Sequence, residues 1–342
     1  MTTLSIVVVT WRSGDAIAAT LAAARRQLEP GDELIVCDNA SGDDTLACAR
    51  EAAPDAIFVE TGGNLGFPAA CNIGAERARG ELLCFLNPDA VVGPGFREAI
   101  ASPTQEADPP AAWQALVTSE DGALVNTRGG VVHFTGIAWA GGAGEPVAAA
   151  PWAGGAAPGF VSGAALAIGR ERFARLGGFA AGFFLYHEDV DLSLRVRLDG
   201  GRLGLAAGAR ADHDYEFDKG LAKWRHLERN RWATIIRTYP GALLALLAPA
   251  LAATEIALLA IAAAGGWLPQ KLGAAADVLR ALPRLLRERR AIQSTRRISA
   301  GEFAAGLTAE LDSPYLGRAA RLPLLGPALG LYWRLVRLLL GR

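Results

Sequence analysis

Four short apolar runs stand in the first 90 residues: Leu4–Thr10, Glu33–Cys37, Ala56–Glu60 and Leu82–Leu86. Between them the apolar positions take a helical period, predicting helices over about 15–28, Asp43–Ala52 and Pro68–Arg79. Continuous apolar strands alternating with helices predict an α/β fold whose mostly parallel central sheet is covered on both faces. Ligands of such sheets bind beyond the carboxyl ends of the strands. The polar residues that follow each strand therefore matter most. They are Thr10-Trp11-Arg12, Asp38-Asn39-Ala40-Ser41, the run Gly62–Phe67, and Asn87-Pro88-Asp89.

The pattern then loosens. Residues 105–160 are rich in Gly, Ala and Pro, with a hairpin predicted at 122–138 and a loop or lid at 139–158. Periodic structure resumes at Phe160–Ile168, followed by a helix over Asp189–Leu198, a strand near 202–206 and a long helix over 219–238. Residues 241–268 hold a single charge, Glu255. Pro249 is expected to divide this stretch into pieces of about 8 and 15 residues. The longer piece spans roughly 22 Å, short of the ~30 Å hydrocarbon core. An element lying in or re-entering a membrane is therefore expected over a clean span, with a buried Ala-rich hairpin as the alternative. Beyond Pro327, Leu329, Leu331, Tyr332, Trp333, Leu335, Val336 and Leu338–Leu340 nearly encircle a helix that carries Arg334 and Arg337 on a narrow stripe. Such a helix, with aromatic residues at its middle, suits a headgroup boundary. The division expected is a catalytic domain at 1–239 and a membrane-associating helical region at 240–342.

Charge supports that division. The formal net charge of −1 argues against a dedicated nucleic-acid binder. Residues 270–342, however, hold 13 Lys/Arg against 5 Asp/Glu, and Arg280, Arg284 and Arg287 form a second basic stripe. An acidic body with a basic, Leu-rich tail suggests a tail that meets an anionic surface. The four cysteines, Cys37, Cys48, Cys71 and Cys84, match no zinc spacing and are expected to be reduced and buried. Thr2–Thr10 has no basic n-region and reads as a strand rather than a signal peptide, which places the catalytic part in the cytoplasm.

Each candidate for chemistry has a bland reading beside it. Asp89, in Asn87-Pro88-Asp89, is a carboxylate at the ligand edge that can hold Mg²⁺ or Mn²⁺; Asn, Pro and Asp also make ordinary turns. Glu188, Asp189 and Asp191 stand at a helix mouth, where acids cap helices and where a general base stays ionised. His213, between Asp212 and Asp214, is either a metal ligand or a surface histidine flanked by acids. The Gly62–Phe67 run (GGNLGF) opens a helix whose N–H groups can cradle phosphate. It is neither G-x-G-x-x-G nor a Walker loop. Lys219, Lys223, Arg225, Arg229 and Arg231 crowd one helix; most suit a solvated face, while one or two can neutralise a leaving diphosphate.

The ordered set VVVTWRS, VCDNASGDDT, GGNLGFPAACNIGAERARGELLCFLNPDA, FVSGAALAIGRERFARLGGF, FFLYHEDVDLSLRVR and a later His213 resembles the inverting family 2 glycosyltransferases of GT-A fold. It is most similar to their bacterial rhamnosyltransferase-like branch, which builds surface polysaccharides on lipid carriers. The resemblance covers about residues 3–238. It implies that Thr10, Trp11, Arg12, Asp38 and Asn39 line the base and ribose of a nucleotide-sugar. Asn64, Gly66, Phe67 and Asn72 are then expected near ribose or diphosphate, with Asn87 and Pro88 beside them. Asp89 corresponds to the last acid of the family's D-x-D metal motif, and His213 to a further metal ligand. Asn87 replaces the first Asp of many members, which removes one anionic ligand. Asp189 corresponds to the general base, with Glu188 as its acidic neighbour. The implied reaction moves a sugar, rhamnose favoured, from a dTDP- or UDP-sugar to a polyprenyl-diphosphate-linked glycan. It would take place at the cytoplasmic face of the plasma membrane, with the enzyme held peripherally and a divalent cation on the departing diphosphate.

Two other functions fit parts of this pattern. A nucleotidyltransferase making a nucleoside diphosphate sugar uses a related sheet, but its basic Gly-rich signature is poorly matched by Thr10-Trp11-Arg12-Ser13-Gly14. A non-catalytic scaffold is the third reading; joint retention of Asp89, Asp189 and His213 argues against it.

Overall fold

The computed structural model describes residues 2–149, 157–214, 220–312 and 325–341. They form two compact units: Met1–Gly130, Ala140–Val196 and Gly201–Tyr215 make the first, and Val131–Trp139, Arg197–Gly200 and Glu216–Arg342 the second. By compactness the helix at 222–238 thus goes with the C-terminal helices.

The strands, in chain order, are β1 (Leu4–Thr10), β2 (Glu33–Asp38), β3 (Ile57–Glu60), β4 (Leu82–Leu86), β5 (Val91–Val92), β6 (Ala112–Ser119), β7 (Leu124–Thr127), β8 (Gly130–Val132), β9 (Ala138–Ala140), β10 (Ala165–Gly169) and β11 (Leu203–Asp212). The helices are α1 (Gly14–Arg25), α2 (Thr45–Ala52), α3 (Phe67–Arg77), α4 (Phe96–Ala101), α5 (Arg170–Arg175), α6 (Glu188–Leu198), α7 (Ala222–Thr238), α8 (Gly241–Ala264), α9 (Leu268–Ser294), α10 (Ala300–Ala304) and α11 (Leu325–Leu339).

In the first unit a sheet runs in the order β3-β2-β1-β4-β10-β6-β11-β5, with β7 paired to β6. The β1–β2, β2–β3 and β1–β4 pairs are parallel, as the apolar runs predict. From β4 onward the sheet becomes mixed, because β10 is antiparallel to both β4 and β6. Side chains alternate between two cores. Leu4, Ile6 and Val8 enter one with Ile17, Leu21 and Trp113; Val7 and Val9 enter the other with Phe85, Leu166 and Leu192. This is the two-sided burial that made the strands read as continuous apolar runs. Cys37, Cys71 and Cys84 are buried, Cys48 is half-buried, and all four are free thiols. Burial pushes the Cys37 and Cys84 thiols up to about 12, so they act as small core hydrophobes.

The expected hairpin at 122–138 is differently built. β7 returns onto β6, whereas β8 pairs with β9 in a separate two-stranded sheet. β6 lies mid-sheet although its stretch read as irregular. Its polar Gln114 is fully buried, with its amide donating to Ala115 and Thr127 and accepting from the Ser162 N–H. In the expected lid, residues 150–156 lie outside the described residues. The part before them is tied down: Val125 donates to the Glu145 carbonyl at 2.8 Å, and Val147 to the Ala123 carbonyl at 3.0 Å.

The second unit is helical. α8 is one continuous helix of 24 residues, which corrects the expected break at Pro249. Pro249 sits on an exposed face, so the lost hydrogen bond frees a carbonyl toward the outside rather than in a packed interior. At 1.5 Å per residue the helix is about 36 Å long, enough to cross a bilayer by length and composition. Only 11% of its most apolar window is buried within the protein. Glu255 is not solvated alone. Its carboxylate binds Arg231 of α7 and, at 2.6 Å, Lys271 of α9, and both cations also bind Glu228. Arg231 is thus buried in a four-charge cluster rather than on the solvated face expected of this helix; Lys219 lies outside the described residues. Trp333, expected at a headgroup boundary, is instead buried and stacks on Phe134 with ring centroids 5.0 Å apart. The leucines of α11 do remain outside: Leu331, Leu335, Leu338 and Leu339 are all more than half exposed.

Candidate active site

At the carboxyl edge of the first unit's sheet, Thr10, Asp38 and Glu60 are in register across β1, β2 and β3. The loops that leave these strands are laced together. Asn39 donates its N–H to the Thr10 carbonyl at 2.8 Å, and Thr61 donates to the Asp38 carbonyl at 3.0 Å. The buried Asp38 carboxylate accepts the Ser41 hydroxyl and, at 3.2 Å, the Ser41 N–H. Ser41 Oγ in turn accepts the Arg12 N–H at 3.0 Å, so the first two loops are locked together. The Asn39 side-chain oxygen accepts from Thr61 Oγ1 and from the Leu65 N–H, both at 3.2 Å, which draws in the Gly62–Phe67 loop. Trp11 stays 48% exposed, with the Arg12 guanidinium 5.1 Å from its ring centre. An open aromatic face with a cation beside it is a surface on which a flat ring can stack. Thr10 Oγ1 is buried with no hydrogen-bond partner among the described residues.

Asn64 accepts the Gly66 N–H at 3.0 Å, an Asx turn that leads the chain into α3. Gly66 is at φ +83°, and a Cβ there would press into the backbone of Phe184. Phe67 donates its N–H to the Phe184 carbonyl at 2.9 Å. The GGNLGF loop is therefore fastened to the segment just before Glu188. Asn72 is turned to the protein's own backbone: its amide oxygen accepts Phe179 N–H at 2.8 Å and its nitrogen donates to the Phe179 carbonyl at 2.9 Å.

Asp89 and His213 come together. Their Oδ1 and Nε2 atoms are 3.0 Å apart, and the Asn87 side-chain nitrogen is 3.4 Å from the same His213 Nε2. His213 is buried at 3% exposure, while the Asp89 side chain is 45% exposed, so the pair opens outward through the carboxylate. The backbone of His213 is held at both ends, by Thr118 O at 2.8 Å and Asn126 Nδ2 at 2.8 Å. Its flanking acids are structural. Asp212 accepts from Thr118 Oγ1 and the Gly122 N–H, and Asp214 from the Glu120 N–H, which together pin the β6–β7 turn. Among the described residues no group of three His, Cys, Asp or Glu side chains surrounds a common point. The 3.0 Å separation of the pair does suit two adjacent ligands of one octahedral ion, whose ligands at about 2.1 Å stand about 3 Å apart.

The acids of α6 divide their work. Asp191 is fully buried and paired with Arg195 at 2.7 Å; Arg195 then donates to the carbonyls of Leu176 and Gly178, which makes the pair a structural brace. Glu188 is buried, and burial first, then the neighbouring Asp189 charge, pushes its carboxyl up to about 8. Asp189 is half-buried. Burial raises its pKa, while N–H donors from Gly163 and Val190 pull the other way, at 3.1 and 2.8 Å. The adjacent Ala164 carbonyl accepts the Asn87 N–H at 3.0 Å. Residues 163–164 thus stitch Asp189 to the strand end that carries Asp89.

The backbone is strained around these groups. Arg12, Ala40, Phe184, Tyr186 and His187 have φ between 52° and 69°, a region side-chain-bearing residues seldom adopt. Three of the five directly precede Glu188. The surroundings that impose such conformations also fix where Glu188 and Asp189 stand.

The family model for Glycosyl transferase family 2 matches residues 5–138. Over 263 residues the chain is 26% identical to the N-acetylglucosaminyl-diphospho-decaprenol L-rhamnosyltransferase of Mycobacterium tuberculosis, covering 68% of this chain and 83% of that protein. Residues 5–138 thus resemble glycosyl transferase family 2. Solved structures show the fold to be GT-A. The mannosyltransferase PcManGT from Pyrobaculum calidifontis, in complex with GDP-Man and Mn²⁺, superposes with a TM-score of 0.51 at 21% identity, covering 88% of this chain and 86% of that one. GalNAc-T7 with UDP, GalNAc and Mn²⁺ gives 0.57 at 16% identity, covering 72% of this chain and 50% of that one.

Sequence reasoning missed three contributors to the candidate site. Thr61 ties the β2 and β3 loops through its hydroxyl, Gly163 presents an N–H to Asp189, and Phe184 anchors the GGNLGF loop. Thr61 had a legible signal, a polar residue directly after a strand. The other two act through backbone groups, which side-chain chemistry does not announce.

Proposed function

We propose that this protein is an inverting, metal-dependent glycosyltransferase. In this reading it moves a sugar, rhamnose favoured, from a dTDP- or UDP-sugar to a polyprenyl-diphosphate-linked glycan in cell-surface polysaccharide synthesis. The observation that carries it is the stitched pair of Asp189 on one side of residues 163–164 and the Asp89–His213 pair on the other. The relative from M. tuberculosis, by name a rhamnosyltransferase acting on a decaprenol-linked acceptor, supports the choice of sugar and carrier.

Inverting transfer is a single displacement at the anomeric carbon, needing one base for the acceptor hydroxyl and stabilisation of the departing diphosphate. Asp189 is the base: it is half-buried and its two oxygens are aimed by backbone donors. Glu188, whose carboxyl burial pushes well above the usual range, holds its own proton more tightly and so competes less for the acceptor's. Asp89 and His213 would hold a divalent cation, with diphosphate oxygens and water completing its shell. When bound, such an ion supplies Lewis-acid stabilisation of charge on the leaving oxygen. Thr10, Trp11, Arg12, Asp38 and Asn39 take the base and ribose, with Trp11 as the stacking face. Asn64, Gly66, Phe67, Asn87 and Pro88 shape the approach to the diphosphate, and Asn72 contributes by holding Phe179.

The second unit gives the protein its seat at the cytoplasmic membrane surface. Ile256, Ile261, Leu272, Leu279, Leu331 and Leu338 are each at least 42% exposed, and the four leucines stand close to Arg280, Arg287 and Arg334 in sequence. An exposed apolar surface mixed with arginines matches peripheral membrane binding. The Glu255 cluster favours a helix that lies along the surface, since a crossing would carry four charges toward the hydrocarbon.

The test is thermal unfolding with UDP, dTDP, GDP or CDP, each with and without Mg²⁺ or Mn²⁺. A ligand at 100 times its Kd stabilises by about 2.7 kcal/mol. Metal-dependent stabilisation by dTDP or UDP is expected, and Asp89→Ala should remove its metal dependence. Stabilisation that is identical with and without metal contradicts the assignment of Asp89 and His213.

A further inference from the structure

In the second unit, a depression of about 420 Å³ opens at the head of α8, lined by Gly241, Leu286, Arg289, Arg290, Gln293 and Arg296. Three guanidinium-bearing residues and no carboxylate line it. Arg289 is half-buried and fixed in place, donating to the Ile236 carbonyl at 2.6 Å and the Tyr239 carbonyl at 2.7 Å. Gln293 is fixed by a 2.8 Å bond to the Thr238 carbonyl. Burial first, and then the Arg296 charge, pull the Arg289 guanidinium below its ordinary range, so the pocket's cations repel one another. Arg290 and Arg296 are exposed, and neither is paired with a carboxylate among the described residues. The pocket is therefore short of one anion. Gly241 adds the first N–H groups of a 24-residue helix, which point the same partial charge at that space.

The apolar wall of the pocket leads somewhere. Leu286 continues a line with Leu279 and Leu272 at intervals of seven residues on α9, 44%, 69% and 55% exposed respectively. Residues seven apart share a helix face, so these leucines form one exposed stripe about 21 Å long. Gln293, seven residues further on, brings the stripe into the arginine pocket. An anion site at the end of an exposed apolar track matches a molecule with a charged head and a long hydrocarbon tail. Phosphate fits the forked donors of arginine better than a point anion does.

We propose that this pocket binds the phosphate head group of a membrane lipid, with the lipid's hydrocarbon chain lying along the Leu272–Leu279–Leu286 stripe. The proposal rests on the membrane-facing reading of the second unit given above. It adds a defined head-group site on that surface.

The test uses the full chain and neutral phosphatidylcholine vesicles sparsely doped with either a polyprenyl diphosphate or phosphatidylglycerol, with co-sedimentation as the readout. Doping with at least one of the two should raise binding, and comparing them tells which lipid carries the phosphate. Arg290→Ala with Arg296→Ala should remove about a hundredfold of the increase, the effect of two charge-assisted hydrogen bonds. Arg280→Ala with Arg287→Ala removes the same charge, from α9 outside the pocket, and should cost less than about fivefold at this low surface charge. All four positions are exposed, so unchanged unfolding midpoints establish that each variant is folded. Equal losses from the two pairs would overturn the pocket in favour of diffuse attraction. Displacement of the protein from doped vesicles by inorganic pyrophosphate at concentrations matching the lipid phosphate would overturn the lipid in favour of a soluble anion. If the unaltered protein bound none of these vesicles, the membrane-facing reading itself would fall.

Discussion

Truncating Glu255 to alanine should unfold the second unit's charged centre. Arg231 and Lys271 are 2% and 3% exposed, and each binds both Glu228 and Glu255. In Glu255→Ala, two buried cations are left with one carboxylate. Removing one partner from a buried ion network costs about 3–5 kcal/mol, because the surviving charge is neither solvated nor paired. Set against a typical total of about 5–15 kcal/mol, this is a large share. The assay is urea unfolding in mild detergent, comparing midpoints at constant slope. A second variant sharpens it: Glu255→Leu combined with Lys271→Met removes one charge of each sign and leaves Arg231 with Glu228. That double variant should recover most of the loss, since apolar replacement of a buried pair is often neutral. A loss below about 1 kcal/mol in Glu255→Ala would refute the reasoning. It would mean that water reaches the cluster and that Glu255 does not tie α8 to its neighbours.

Two further outcomes follow from the first unit. Glu188 has its pKa raised from 4.5 to about 8 by burial, so the unfolded chain loses that proton at lower pH than the folded protein does. Stability should therefore fall by a few kcal/mol as pH rises from about 4.5 to about 8, and Glu188→Gln should flatten that slope in unfolding measured across this range. Gly66→Ala combines a φ of +83° with a collision against the Phe184 backbone; it should lower stability by about 2 kcal/mol or more and weaken nucleotide-dependent stabilisation with it.

The parallel half of the sheet was legible because β1, β2 and β4 are almost wholly buried apolar runs, with Ser5 the one polar residue at an interior position. β6 was not, since Gln114 and Thr118 look like surface residues until their partners across the sheet are known. Pro249 misled for another reason: inside a helix a proline removes one hydrogen bond and crowds the preceding turn, which can bend a helix without ending it, and this proline faces outward. For the site, the motif residues Asp89, Asp189 and His213 stood out as chemistry at strand and helix ends. Their joining did not, because it runs through the backbone of Gly163 and Ala164. Trp333 shows the limit of amphipathic patterning, which separates apolar from polar faces but not lipid from protein.

The most direct measurement is the rate of rhamnosyl transfer from dTDP-rhamnose to a polyprenyl-diphosphate-linked glycan acceptor by the parent protein and by Asp189→Asn. The account predicts measurable transfer by the parent, a fall of about 10²–10⁴ in the variant, and nucleotide-dependent thermal stabilisation that stays intact. A variant that transfers sugar within about fivefold of the parent would contradict the assignment of Asp189 as the base.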